Sequence, residues 1–298
     1  MSKIVATIGM FDGVHLGHQD LLRHVTEEAA KTGTRSLAVT FANHPASVIC
    51  PNKVPKLITT PDEKSRRLSM CGVGYVLTTT FTQLLRAMTA KEYIQLLRHE
   101  YNVETLILGF NNRFGSDTSL TFDDYVEIGK SEGVKIIRMP EYFVNGTKVN
   151  STIIREHILA GDINKANSLL GYEFLLEGKV VFGKQVGRTI GFPTANINVG
   201  LKDKIIPANG VYACRAMLKD GSTHPTMVNI GTRPTIDGKN SDVTIEAHII
   251  GISKELYGNS ITLSFISRLR DEQRFKDIDA LKAQLEKDKL AALDTIGL

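Results

Sequence analysis

The chain lacks the features that would place it in a membrane or cross-link it covalently. Its three cysteines, Cys50, Cys71 and Cys214, are scattered, odd in number and form no C-x-x-C pair. That pattern argues against a disulfide framework and against a zinc site. No apolar run approaches the roughly 20 residues that a membrane span requires, and the first residues do not resemble a signal peptide. We therefore expect a cytoplasmic protein with no membrane partner.

Charge of one sign is not in large excess. The formal net charge is +4, with 23% charged and 42% hydrophobic residues among 298, which is typical of a globular protein of about two domains. The chain shows no clustered basic stripe of the kind that accompanies nucleic-acid binding, and no internal repeat. We expect no nucleic-acid partner and no obligate protein partner, whereas small anionic substrates suit the mild positive charge.

The first half alternates short apolar runs with amphipathic stretches. The apolar runs cover residues 4–8, 36–41, 75–78 and 105–108, and helical periodicity covers 19–30 and 90–101. Thr89 and Glu92 can form a capping box at the start of the second helix. This alternation predicts an α/β domain with a doubly wound parallel sheet, in which ligands bind beyond the carboxyl ends of the strands.

The second half changes to strands without intervening helices. The runs 177–182, 210–218, 226–230, 243–250 and 261–266 predict a small antiparallel β-barrel, followed by a C-terminal helix over 277–290. Between the halves, Asn145-Gly146 predicts a hairpin. Two helical stretches follow, 151–160 and 162–170, which Gly161 and Gly171 end. We predict one domain over residues 1–171, which includes this helical junction, and a second over 172–298.

The most informative segment comes directly after the first strand, where residues 9–18 read GMFDGVHLGH. A strand that passes through a glycine-containing turn into a helix N-terminus is an anion-binding arrangement. His15 and His18 stand about one turn apart and can donate hydrogen bonds to phosphate oxygens. Taken alone, the two histidines are also compatible with packing or helix capping. A metal site is disfavoured because no third ligand stands nearby.

Two motifs together carry a family resemblance. Residues 9–18 resemble the phosphate-binding signature of the nucleotidylyltransferase superfamily, in the version of prokaryotic FAD synthetases. Residues 183–196, GKQVGRTIGFPTAN, resemble the glycine-rich loop and Pro-Thr-Ala-Asn motif of riboflavin kinases. In this order they resemble the bifunctional riboflavin kinase/FAD synthetase family over nearly the whole chain. The resemblance implies a nucleotidylyltransferase domain followed by a riboflavin kinase domain. It further implies riboflavin, FMN and ATP as substrates, Mg²⁺ with ATP, and FMN and FAD as products.

For the first domain, the resemblance implies adenylyl transfer to FMN. Residues 150–155, NSTIIR, resemble the family's Ser-Ser-Thr-x-Ile-Arg motif, and residues 109–115, GFNNRFG, resemble its loop with a central Asn or Asp. His15 and His18 would be catalytic. The implied ATP- and phosphate-binding residues are Gly9, Phe11, Gly13, His15, His18, Asn111, Ser151, Thr152 and Arg155. Without the resemblance, these segments read as a helix N-cap with a surface arginine and as a turn after a strand.

Three asparagines depart from the family pattern. Asn43 stands where the family has proline, Asn112 replaces an aromatic residue, and Asn150 replaces the first serine. Because the aromatic residue offers a surface on which flavin can stack, its absence at Asn112 predicts weaker binding of FMN.

For the second domain, the resemblance implies phosphorylation of riboflavin. The implied phosphate loop contains Gly183, Lys184, Gly187, Arg188 and Gly191. Thr194 and Asn196 would supply oxygen ligands to Mg²⁺, and Glu246 would be the base for the riboflavin 5′-hydroxyl. The residues implied to contact flavin are Arg270, Glu272 and Phe275. By alternation alone, Glu246 is an outward carboxylate on a half-buried strand.

Other functions stay open on the sequence alone. The chain could be a monofunctional riboflavin kinase with a degenerate first module, or a flavin-binding regulatory protein. The first module could also transfer a nucleotide to a different phosphate. The intact Glu246, Thr194 and Asn196 favour an enzyme over a regulator.

Overall fold

The computed structural model describes residues 2–117, 119–183, 186–234, 241–252 and 254–298. It divides into two compact units, Met1–Ser151 and Thr152–Leu298. Within the described ranges, no helix has both the length and the hydrophobicity to cross a bilayer.

The first unit is built on a five-stranded parallel sheet. Its strands are β1 (Ile4–Ile8), β2 (Arg35–Phe41), β3 (Tyr75–Thr79), β4 (Val103–Leu108) and β5 (Lys135–Arg138), in the order β3-β2-β1-β4-β5. Its helices are α1 (Leu16–Thr32), α2 (Ala46–Ile49), α3 (Pro61–Met70), α4 (Gln83–Ala87), α5 (Ala90–Tyr101) and α6 (Phe122–Ser131). The central strand β1 pairs with β2 on one side and β4 on the other. The strand order therefore reverses at β1, which confirms the predicted doubly wound sheet. Sheets of this kind bind ligands at the carboxyl ends of the strands where the order reverses.

Alternating side chains of the sheet supply two cores. Val5 packs with Leu21 and Leu22 of α1 on one face, and Ala6 packs with Ile94 of α5 on the other. The capping box of Thr89 and Glu92 is confirmed. The predicted hairpin is also confirmed, as β6 (Phe143–Val144) and β7 (Thr147–Lys148).

The second unit is a closed antiparallel barrel with helices around it. Its strands are β8 (Phe174–Val181), β9 (Ala195–Asn198), β10 (Gly210–Met217), β11 (Thr223–Pro234), β12 (Ser241–Ile249) and β13 (Ser260–Arg270), in the order β10-β11-β12-β9-β8-β13. Its helices are α7 (Ser151–Ala160), which begins one residue before the unit, α8 (Ile163–Leu170), α9 (Val186–Thr189) and α10 (Ile278–Ile296). The barrel and its C-terminal helix confirm the predicted second fold.

The helical junction packs with the barrel. Asn167 of α8 donates to the Phe265 carbonyl and accepts from the Phe174 amide, both at 2.8 Å. The compact units divide after Ser151, so α8 belongs to the second unit. The sequence pattern instead groups both α7 and α8 with the first domain. The functional boundary after residue 171 stays a prediction.

Candidate active sites

The phosphate turn, residues 9–18, is a strained connection between β1 and α1. Phe11 and Val14 have φ values of 50° and 37°. Residues other than glycine seldom adopt this left-handed region, and β-branched residues do so least of all. Conformations of this kind cost about 1–3 kcal/mol each and persist only where the surroundings hold them.

Side chains from β2 and α3 fasten the start of the turn. The Met10 carbonyl accepts hydrogen bonds from Thr40 Oγ1 at 3.1 Å and from Lys64 Nζ at 3.0 Å. The turn is thus tied to elements that lie 30 and 54 residues further along the chain.

The centre of the turn is fastened through the buried residue Asp12. Its carboxylate accepts from the amides of Ile58 and Thr59, each at 3.0 Å from Oδ1. Thr59 Oγ1 in turn accepts from the Gly13 amide at 3.0 Å. The Asp12 carbonyl accepts from Ser151 Oγ at 2.9 Å. The carbonyls of Met10 and Asp12 and the Asp12 carboxylate thus have donors within the protein, which leaves these acceptors less able to repel an anion.

The two histidines lie against each other. Their rings stack with centroids 3.6 Å apart, and His15 Nδ1 accepts from the His18 amide at 3.3 Å. A neutral His15 therefore carries its proton on Nε2. His18 Nδ1 is buried with no partner among the described residues. Burial, then His15, then Lys64 lower the pKa of His18 well below its usual value.

The loop after β4 meets the carboxyl end of β1, next to the phosphate turn, as the sheet predicts. The amide of Asn112 donates to the Ile8 carbonyl at the end of β1. In the same loop Asn111 is exposed, and the Arg138 guanidinium lies 4.5 Å from the centre of the Phe110 ring. The position without the family's aromatic residue thus fastens the loop to the sheet.

The remaining residues of the first predicted site divide between the two units. Gly9 and Gly13 belong to the phosphate turn, and Ser151 closes on it from the first residue of α7. Thr152 and Arg155 follow on α7 within the second unit, exposed and half-buried respectively.

In the barrel, strand pairing brings the predicted kinase residues together. Glu246 on β12 lies opposite Asn196 on β9 and opposite Asn229 on β11. Directly opposed residues of antiparallel strands project from the same face of the sheet. Ile245 and Ala247, on either side of Glu246, are buried in the barrel, so the carboxylate and the two amides share its outer face. Asn229 is a residue that sequence reasoning missed, although its alternation with the apolar Val228 and Ile230 was visible.

The glycine-rich segment packs closely over this face. A Cβ on Gly183 would overlap the Asn196 amide, and a Cβ on Gly187 would overlap the Phe192 carbonyl and lie 3.5 Å from Thr194 Oγ1. Only glycine permits these approaches. Gly191 directly precedes Phe192. Lys184 lies outside the described residues, and Arg188 is placed in α9 through its backbone alone.

A histidine on β12 holds the loop in place. His248 Nδ1 lies 2.9 Å from the Pro193 carbonyl, and its ring packs on Phe192. Burial is the main cause that lowers the pKa of His248. A neutral ring that donates from Nδ1 therefore anchors the residue before Thr194.

Two of the predicted flavin residues, Arg270 and Phe275, lie against each other. Arg270 pairs with the buried Asp288 of α10, with Nε at 2.9 Å from Oδ1 and Nη2 at 2.7 Å from Oδ2. The half-buried ring of Phe275 lies 5.8 Å from the same guanidinium. Arg270 thus holds the end of β13 to α10.

The third predicted flavin residue reaches the Glu246 face. Glu272 accepts from Asn209 Nδ2 at 3.1 Å. Its carboxylate occupies the place where a Cβ on Gly231 would stand, next to Asn229.

The donor set at Thr194 and Asn196 fits magnesium rather than zinc. A hydroxyl and an amide oxygen are hard ligands, and Mg²⁺ keeps waters and substrate phosphates as its other ligands. Among the described residues no group of three or more His, Cys, Asp or Glu side chains could hold a metal ion.

Comparisons with known proteins cover both units. The FAD synthetase family matches residues 1–153, and the riboflavin kinase family matches residues 170–296. The chain is 37% identical to the bifunctional riboflavin kinase/FMN adenylyltransferase of Escherichia coli K12, over 99% of this chain and 93% of that protein. The enzyme of the same name from Bacillus subtilis is 33% identical, over 98% and 92%.

A solved structure has the same fold throughout. It is described as a macrolide-efflux protein from Streptococcus pneumoniae, is 31% identical, and superposes with a TM-score of 0.90 over 98% of this chain and 94% of its own. With both halves matched in the same order, the chain belongs to the family of bifunctional riboflavin kinases/FMN adenylyltransferases.

Proposed function

We propose that the protein makes FAD from riboflavin in two ATP-dependent steps, with riboflavin phosphorylated in the second unit and FMN adenylated in the first. One observation supports the proposal: Ser151 bonds to the phosphate turn in the first unit, and Glu246 lies opposite Asn196 in the barrel of the second. Because ATP serves both steps, we place the enzyme in the cytoplasm.

In the kinase step, Glu246 acts as general base. It takes the proton of the riboflavin 5′-hydroxyl while that oxygen attacks the γ-phosphorus of ATP. The bond from the γ-phosphorus to its bridging oxygen breaks, and ADP leaves. Thr194 and Asn196 would hold Mg²⁺, which when bound neutralises phosphate charge. Gly183 and Gly187 let the loop approach the phosphates. In this proposal Lys184, Arg188 and Gly191 belong to the same phosphate-binding loop.

In the adenylyl transfer, the protein supplies no nucleophile. A phosphate oxygen of FMN attacks the α-phosphorus of ATP, the bond to the β-phosphate oxygen breaks, and pyrophosphate leaves. His15 Nε2–H, His18 and the amides of the phosphate turn donate to the phosphate oxygens as charge moves to the leaving group. Ser151, Thr152 and Arg155 bind the β- and γ-phosphates in this proposal, and Asn111 contacts ATP or the flavin phosphate.

The direct test resolves products over time. Pure protein receives riboflavin, ATP and MgCl₂, and FMN, FAD, ADP and pyrophosphate are measured. FMN should appear first and FAD second. FMN supplied with ATP and MgCl₂ in place of riboflavin should give FAD and pyrophosphate in equal amounts. If riboflavin gives FMN, and no FAD forms over a wide range of added FMN concentrations, the protein is a monofunctional riboflavin kinase. Flavin binding without either product would leave the regulatory protein.

The metal ligands have a test of their own. Asn196→Ala removes an amide oxygen from the proposed magnesium site, so riboflavin phosphorylation should fall at least about tenfold, because even indirect partners of a metal matter on that scale. The half-saturating Mg²⁺ concentration should rise in the same titration. An unchanged Mg²⁺ dependence in both Asn196→Ala and Thr194→Ala would mean that the metal is held elsewhere.

A further inference from the structure

A lysine outside both predicted sites is buried beside the phosphate turn. Lys64 lies in α3 and is 1% exposed. Its neighbours in sequence, PDEKSRR, form a run of charged residues that indicates a solvated helix face. Lysine is almost never fully buried unless it is paired, and removing an ammonium group from water costs free energy unless hydrogen bonds replace the water. The position therefore calls for an explanation.

The ammonium group of Lys64 joins two strand ends. Nζ donates to the Met10 carbonyl at 3.0 Å and to the Phe41 carbonyl at 2.6 Å, and Met10 Sδ lies 3.8 Å away. Met10 belongs to the phosphate turn, and Phe41 is the last residue of β2. One cation thus links the carboxyl ends of β1 and β2, the edge at which such sheets bind their ligands.

The charge of Lys64 also acts on the histidine stack. Among the described residues, the titratable groups whose charges act on His18 are His15 from its own turn and Lys64 from α3, and both lower the pKa of His18. Asp12 faces Lys64 and favours its charged form, while burial is the larger effect and lowers the pKa of Lys64 to about 8. Below that pH the ammonium opposes a second positive charge on the stacked imidazoles.

We propose that Lys64 is a positioning residue for adenylyl transfer, because its ammonium group locks the strained phosphate turn to the end of β2. The inference rests on the proposed function of the first unit. Lys64 does not touch the reacting atoms. It acts through the Met10 peptide, whose placement sets the following amides, and through the protonation state of His18.

The pH dependence separates this role from simple packing. The ammonium is present below about pH 8 and is lost as the pH rises through that value. In the wild type, kcat/KM for FMN adenylation should therefore fall above about pH 8, since kcat/KM reports groups of the free enzyme. Lys64→Arg keeps the charge throughout this range and should remove that alkaline limb. A limb that is identical in Lys64→Arg and wild type would overturn the proposal.

Removing the charge gives the second test. Lys64→Met replaces the charged side chain with an uncharged, unbranched one of similar length. Lys31→Met, at an exposed position of α1, is the control for loss of a lysine charge. We expect Lys64→Met to lower kcat for FMN adenylation by about 10–100-fold, the scale of a small misplacement of reacting groups. Riboflavin phosphorylation should stay at the wild-type level. The imidazole titration of His18, followed by NMR, should move to higher pH.

The two proposals fail in distinguishable ways. A folded Lys64→Met variant with wild-type adenylation and an unmoved His18 titration refutes the role of Lys64 and leaves the enzyme's function standing. A wild type that makes no FAD refutes the proposed function and with it this role. If Lys64→Met does not fold, the alkaline limb of Lys64→Arg still decides.

Discussion

The two candidate sites position their predicted residues by opposite means. Side-chain hydrogen bonds from residues far away in the sequence fasten the phosphate turn, while the pairing of neighbouring strands places Glu246 and Asn196. In the turn, strained residues other than glycine are held from outside. In the barrel, glycines let the loop approach a face whose geometry is already set by register. The first site should therefore be sensitive to substitutions far along the chain, and the second mainly to residues of its own strands and loop.

The largest expected effect is at Glu246. Glu246→Gln keeps the shape and removes the base, so riboflavin phosphorylation should fall by about 10²–10⁴-fold while FMN adenylation persists. Glu177→Gln on β8 is the matched control, because Glu177 is also a half-buried carboxylate of a barrel strand. Near-normal formation of FMN by the Glu246 variant would remove it from the role of base.

The histidine stack should give the next largest effect. His15→Ala and His18→Ala each remove a donor to the phosphates, and loss of such a donor typically lowers kcat by about 10²–10³-fold. FAD formation should fall on that scale, with riboflavin phosphorylation unchanged. His24→Ala, further along α1, controls for loss of an imidazole from the same helix. Equal losses at both sites would contradict the independence of the two units.

A smaller effect should follow from the support of the turn. Asp12→Asn replaces a carboxylate that accepts from Ile58 and Thr59. Hydrogen bonds to a charged group contribute about 1.5–3 kcal/mol, so the free energy of unfolding of the first unit should fall by that order. FMN adenylation should also decrease, without any substitution at His15 or His18. Unchanged adenylation in this variant would break the contrast between the sites, because the turn would then not need its distant supports.

The smallest effect is expected at a helix cap that contacts neither candidate site. Thr89→Ala removes the capping box of α5, which should cost about 1 kcal/mol in the free energy of unfolding. Chemical denaturation would measure this change, and both activities should stay at the wild-type level. A loss of adenylation here would show that general destabilisation, rather than loss of specific supports, accounts for the effect of Asp12→Asn.

Local patterns were enough to predict most of the fold. The apolar runs predicted four of the five strands of the sheet, all but β5, and five of the six strands of the barrel, since strand alternation is a property of neighbouring residues. The outward direction of Glu246 was predicted for the same reason. Val243 is a local exception: the alternation placed it with the buried residues, yet it is 46% exposed, near the start of β12. The short strand β9 was missed because its four residues follow a glycine-rich loop without a pattern of their own.

Contacts between distant residues could not be predicted in this way. The charged run around Lys64 gives no sign that its ammonium group is buried between two strand ends. Asn43, which departs from the family's proline, donates from its amide to the Phe81 carbonyl at 3.0 Å and accepts from the Phe81 amide at 2.8 Å. This exchange extends the link between β2 and β3 past the strand ends. The weaker FMN binding expected from Asn112 stays a prediction.

The hydrogen bond from Ser151 to the Asp12 carbonyl has a consequence for how such a module can be inherited. Its two partners stand 139 residues apart, so every recombination breakpoint between them separates the turn from one of its supports. A breakpoint beyond the start of α7 leaves them on one gene fragment. A fragment that holds the ten-residue motif but ends before Ser151 therefore lacks one support of the turn.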